Sequence, residues 1–337
     1  MDIYNYAFQN RVPFLYLRTL FEQGCLDKLS CEYERSLKRH NNLHTDIRRL
    51  THNLEDTRIE CIFLKTLRYY PENPNDIDMI IQGGDEQYEI VIDLFERLGY
   101  RKYNTTFGGI NSFWDPKRPE GDPNAGDKAD YLDLDLYREI SVHDLIFFDK
   151  GCFLGLTSLR TFVNIVDDSE TTARVLPPWL DLFIVCLHSI FPNRSYGLEL
   201  FYTTLYTVEQ SSEPDLRSFV DFTRSVCLGK QIGFGLYLTQ QLLKKSLNCS
   251  NDRLDYLVNK LFGTDDGVIS IDSYSFPFIY PLTFFLWTGV KSALTHKKGF
   301  KSIGKVMARM LNPSYVLELS RDVFSRKLAD ERYKLKY

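Results

Sequence analysis

The stretch Asn75-Asp76-Ile77-Asp78-Met79-Ile80-Ile81 decides how this chain is read. Two carboxylates stand two residues apart and lead directly into an apolar, β-favouring run. Side chains two apart on a strand point to the same face. Asp76 and Asp78 therefore project together beside Ile80, and Ile77 and Ile81 point the other way, into a core. Such a pair is costly unless a divalent cation lies between the two acids or water solvates both. An Asp-x-Asp strand alone is a weak signal, because solvated surface strands carry such pairs by chance.

The flanking sequence adds to it. Upstream, Arg58-Ile59-Glu60-Cys61-Ile62-Phe63-Leu64-Lys65-Thr66 reads as a buried strand ending in Lys-Thr. Pro71, Asn73 and Pro74 then mark a turn. Downstream, Tyr131 to Tyr137 alternates strictly, with Leu132, Leu134 and Leu136 on one face and Asp133, Asp135 and Tyr137 on the other. That strand would lay a third acid beside the first two, and alternation does not choose between Asp133 and Asp135. Between these strands, Asp85 reads as an N-cap, and Tyr88, Val91, Ile92, Phe95 and Leu98 recur at helical spacing up to Gly99. A hairpin around Gly108-Gly109 and a loop over residues 115–129 follow.

This order of features resembles the DNA polymerase β-type nucleotidyltransferase superfamily, and most nearly its uncharacterised nucleotidyltransferase-like family. The residues that carry the resemblance are Phe63-Leu64-Lys65-Thr66, Asp76-Ile77-Asp78-Met79 and Asp135-Leu136-Tyr137, and it extends from about residue 10 to about residue 260. It implies an α+β fold with a mixed-sheet core flanked by an N-terminal helical segment and a C-terminal all-helical domain. It further implies that Asp76, Asp78 and Asp135 are catalytic and hold Mg2+ or Mn2+, and that Lys65 and Thr66 contact a nucleoside triphosphate. The implied reaction moves a nucleoside monophosphate to a hydroxyl acceptor, with RNA, protein and small molecule all open. The acid before Leu136-Tyr137 corresponds to the family's third carboxylate, leaving Asp133 to orient its neighbours. Two departures stand out: no Gly-Ser lies between Lys65 and Asp76, and Thr66 replaces the glycine that usually follows the lysine. They keep a second reading open, a catalytically silent relative that acts by binding, for example in a toxin–antitoxin pair.

At 337 residues and 44% hydrophobic, the chain has enough material for a sizeable core. A formal charge of -4 argues against a strongly electrostatic nucleic-acid binder overall but not against a local basic patch. The seven cysteines are scattered and contain no Cys-x-x-Cys pair. This speaks for a reducing, cytoplasmic setting and against a disulfide framework or a zinc site. No secretory signal is visible at the start. The longest apolar stretch, Phe276 to Val290, is interrupted by Pro277 and Pro281. It is shorter than the roughly 20 residues of a membrane span and reads as a buried helix. No P-loop or dinucleotide-binding glycine motif is present.

The expected organisation is an N-terminal helical segment over residues 1–55, an α+β core over 56–150 and a helical domain over 151–337. In the first, Tyr33, Leu37, His40, Leu43, Ile47, Leu50 and Leu54 form one apolar helical face, with His40 at the edge of the core. Helical character begins near residue 141, with a buried helix opening at Pro177-Pro178 and further helices over 196–210, 214–229, 230–247 and 251–262. Near the end, Lys297, Lys301, Lys305 and Arg309 recur every fourth residue opposite Phe300, Ile303 and Met307. Such a ridge is usually a solvated face; its functional reading is a surface for RNA or for substrate phosphates.

Overall fold

The structure is a computed structural model that describes residues 3–74, 76–103, 109–118, 131–142, 145–153, 155–191, 193–263 and 277–317. Asn75, Gly108 and most of the loop expected over residues 115–129 lie outside the described residues. At the centre is a mixed sheet. Strand β1 (Cys61–Leu64) runs antiparallel to β2 (Asp76–Ile81), which lies parallel to β5 (Asp133–Tyr137). Strands β3 (Arg101–Tyr103) and β4 (Ile110–Trp114) form the expected hairpin and extend the sheet beyond β5. On the other side come β8 (Ser158–Val163) and β9 (Glu170–Val175), giving the order β3-β4-β5-β2-β1-β9-β8.

The period-two pattern sorts the side chains of these strands between two helical layers. Phe63, Ile77, Met79, Ile81, Leu134 and Leu136 face α3 (Ser30–Glu55) and α4 (Asp85–Arg97), where they share a core with Leu43, Ile47, Leu50, Val91 and Phe95. Gly84, one residue before the expected Asp85, is the N-cap of α4, and its N–H donates to Gln87 Oε1 at 3.0 Å. The opposite face presents Ile62, Leu64, Ile80 and Tyr137 to a second core built around α5 (Pro178–Ile190). Behind it stand α6 (Leu198–Gln210), α7 (Glu213–Ser225), α8 (Gly229–Leu247) and α9 (Asp252–Leu261), close to their expected positions. Asp76 and Asp78 share the α5 side with Ile80, as alternation requires.

Two expectations need correction. The chain after residue 141 does not turn directly to helices. A small hairpin, β6 (Ile140–Val142) and β7 (Leu145–Phe148), comes first, and then β8 and β9 rejoin the main sheet. The sheet therefore crosses the boundary expected at residue 150. Glu170 to Val175 alternates and is rich in Thr and Val, which suit a pleated, half-buried surface. Its Thr171, Ala173 and Val175 are buried, and Val175 pairs with Phe63 of β1.

The second correction concerns the apolar stretch near the C-terminus. Helix α10 (Leu282–Ala293) turns its small residues inward: Thr288, Ser292 and Ala293 are buried, whereas Trp287 is 65% exposed and Leu286 54%. A side chain at Gly289 would sit 3.2 Å from Phe191, so close packing selects the small face. Among the described residues no helix is long and apolar enough to cross a membrane. All seven cysteines are free.

Candidate active site

The sheet register brings the acids together. Asp78 pairs with Asp135 and Asp76 with Asp133 across the parallel β2–β5 ladder, so all four carboxylates lie on the face toward α5. Leu64, the last residue of β1, is the register partner of Asp78, which delivers the next residue, Lys65, to the same place. Lys65 Nζ lies 3.1 Å from Asp78 Oδ1, donates to the Tyr137 hydroxyl at 3.4 Å, and sits 5.5 Å from the centre of the Tyr137 ring.

Lys65 is held in a conformation unusual for a side-chain-bearing residue. Its φ is +41°, in the left-handed region. Its N–H donates to Asp181 Oδ1 at 2.9 Å, from the first turn of α5. Asp181 in turn lies 3.8 Å from the buried guanidinium of Arg68, which reaches Glu199 of α6 at 3.0 Å. The helical layer thus fixes the backbone at the end of β1. Thr66 follows at the β1–β2 junction. It is buried, its hydroxyl donates to Leu64 O at 2.8 Å and accepts from Asp78 N at 3.0 Å, and it ties β1 to β2.

The two acids of β5 have distinct partners. Asp133 forms an ion pair with Arg118 and accepts from the backbone N–H of Asp115 at 3.1 Å. Asp135 accepts from the Ser112 hydroxyl at 2.5 Å. Asp133 is therefore tied to Arg118 and to the turn before β5. Asp115 is itself buried and accepts from the N–H groups of Lys117, at 2.7 Å, and Leu132, at 3.0 Å, fixing the entry to β5.

Crowding is visible in the acidities. Burial, followed by repulsion from Asp78 and Asp135, pushes the Asp76 carboxyl up to about 8. Burial and then Asp78 push Asp135 up to about 6, against the opposing effect of the Ser112 hydrogen bond. Burial and the same three acids hold the Tyr137 phenol far above its usual range, so it remains protonated. One lysine does not balance the charge gathered here. Among the described residues no three His, Cys, Asp or Glu side chains form a ready-made metal site. The donor set is nonetheless of the kind magnesium uses: hard carboxylate oxygens, one or two at a time, completed by substrate phosphates and water.

Sequence reasoning did not single out Ser112, Arg118, Asp181 or Arg68. Ser112 had a readable signal, since alternation along β4 puts it on the face of Asp135. Arg118 and Asp181 had none, because they reach the site from a loop and from a helix more than a hundred residues from Lys65, and Arg68, three residues after Lys65, gains its role only through Asp181. Compared with family models, curated proteins and solved structures, the chain matches none.

Proposed function

We propose that the chain is a magnesium-dependent nucleotidyltransferase that moves a nucleoside monophosphate from a nucleoside triphosphate to a hydroxyl acceptor. One observation carries this reading: Asp76, Asp78 and Asp135 share a sheet face with Lys65, in a register that leaves the acids in excess of the cations. These three carboxylates would hold the metal, with Mn2+ as a substitute. When bound, the metal neutralises phosphate charge and lowers the barrier to in-line displacement. Asp135 would accept the proton of the attacking hydroxyl, a role its raised pKa suits. Lys65 would move from Asp78 onto a phosphate as a point charge. Thr66 would act through the β1–β2 junction by holding the Asp78 backbone in place. The acceptor class remains RNA, protein or small molecule.

A contact favours the second reading, a silent protein that acts by binding: the Lys65 ammonium already rests on Asp78, where a cation would sit. The two readings separate in one experiment. Protein is incubated with each radiolabelled triphosphate and cell extract, with Mg2+ or with chelator. Metal-dependent labelling of any acceptor supports transfer. No labelling with any triphosphate, together with intact triphosphate binding, supports the silent protein.

Lys65→Ala is expected to weaken triphosphate binding by about 1–3 kcal/mol, the range of a charge-assisted contact. Calorimetric titration in Mg2+ measures it. Equal affinity in variant and parent would leave Lys65 as a partner of Asp78 alone.

A further inference from the structure

A cationic pocket, separate from the acid site, lies beyond the C-terminal end of β5, against helix α11 (Lys297–Arg309). Two of its residues pin α11 to its surroundings. The Ser302 hydroxyl accepts from Ile146 N of β7 at 2.9 Å, and Lys298 Nζ reaches Glu139 at 2.8 Å and Asp149 at 2.9 Å. Gly299 permits this close seating: a Cβ there would lie 2.3 Å from Ala293 O at the end of α10. Between α11 and the sheet is a pocket of about 580 Å³, within the usual range for small-molecule sites. It shares no residue with the acid site.

Six cations and two carboxylates line the pocket. Both carboxylates have cationic partners: Glu139 is held by Lys298, and Glu89 by Arg138 at 2.6 Å. Lys102, Lys301 and Lys305 have no carboxylate within ion-pair distance among the described residues, and all three are exposed. From residue 277 to residue 317 the sequence contains six Lys and Arg residues and no Asp or Glu, in a chain whose formal charge is -4. Helical spacing aligns Lys301, Lys305 and Arg309 along one wall, each four residues from the next. Lys102 of β3 and Arg138 after β5 belong to the facing wall. Cations on two walls, with both local carboxylates already paired, match a ligand that carries consecutive negative charges a few ångströms apart.

We propose that this pocket binds an oligophosphate, a chain of phosphates free or borne on a nucleoside, without a divalent metal. The inference does not depend on catalysis at the acid site. Full-length protein is titrated with inorganic tripolyphosphate in chelator, by calorimetry, and the titration is repeated with ATP, with adenosine and with a short single-stranded RNA. The expected result is binding of tripolyphosphate and ATP but not adenosine, weakened at least tenfold in Lys301→Gln/Lys305→Gln. Lys297→Gln, on the same helix but outside the pocket, should leave it unchanged. Circular dichroism checks that the double variant folds, and Lys102→Gln, on the other wall, gives an independent loss. The proposal is overturned by no binding in the parent protein, by equal binding in both pocket variants, or by equal weakening in Lys297→Gln. RNA competing at a lower phosphate concentration than tripolyphosphate overturns it in favour of a nucleic-acid surface.

Discussion

Under the proposed function, replacement of Asp135 by asparagine is expected to abolish nucleotide transfer, whereas Asp133→Asn lowers it about 10–100-fold, the range for a residue that supports a metal ligand from outside. The two acids share a strand face, so alternation does not rank them. Their partners do. Asp133 is engaged at both oxygens, by Arg118 and by the Asp115 N–H. Arg118 is itself fixed over Trp114, at 5.3 Å, and Tyr131, at 5.2 Å. Breaking that assembly loosens the entry to β5 but takes no ligand from the cation. Asp135 lies level with Asp78 across the ladder, and the Ser112 hydroxyl orients it. Residues two apart on a strand are separated by roughly 6.5–7 Å, and a magnesium–oxygen bond is about 2.0–2.1 Å, so one cation does not use both acids alike. Single-turnover labelling rates, compared at equal helical content, measure the ranking. The reverse order would shift the working register on β5 by two residues.

How much of this was legible follows from what each feature depends on. The acid face of β2 and β5 depends on alternation within one strand, and both strands lie where alternation puts them. Helices α5 to α9 depend on apolar periodicity over three or more turns, which a single sequence carries. The pairing of β9 with β1 joins segments more than a hundred residues apart, and its short, Thr-rich sequence competes poorly with the helical pattern that follows. The state of Lys65 was hidden for the same reason. Its left-handed backbone is held by Asp181, and only the assembled fold brings that carboxylate to the end of β1. The basic ridge near the C-terminus was visible as a spacing. That Lys301 and Lys305 face a pocket with Lys102, while Phe300 is 67% exposed, reverses the usual orientation of an amphipathic helix and was not.

Asp76→Asn is expected to stabilise the metal-free protein, by on the order of 1–3 kcal/mol near pH 8, at the cost of the site. Burial and two neighbouring acids raise the folded-state pKa of Asp76 from 3.8 to about 8. Between those values the folded state holds a proton that the unfolded chain releases, so stability falls as pH rises through this window. Asparagine carries no such proton, and its advantage should grow from about pH 4 to about pH 8. A pair of histidines sets the opposite limb. His40 and His44 are buried on α3 with ring centres 4.7 Å apart, and His44 Nδ1 is 3.0 Å from the Thr171 hydroxyl. Burial lowers both to about 4, with the neighbouring His44 adding to it for His40 and Arg48 for His44. Their contribution is present above the ordinary value of 6.5 and is lost as pH falls toward about 4. Parent protein should therefore be most stable at intermediate pH, and Asp76→Asn should flatten the alkaline side and steepen the rise between about pH 4 and 6.5. Urea denaturation at about pH 5, 6.5 and 8 measures both limbs. Under the proposed function, saturating magnesium with triphosphate inverts the comparison, because binding linkage then stabilises the parent and not the variant. An unchanged denaturation midpoint for Asp76→Asn at the alkaline end would mean that water already solvates this carboxylate. Stabilisation without inversion would leave a crowded acid cluster that gathers no cation, as expected of the silent protein.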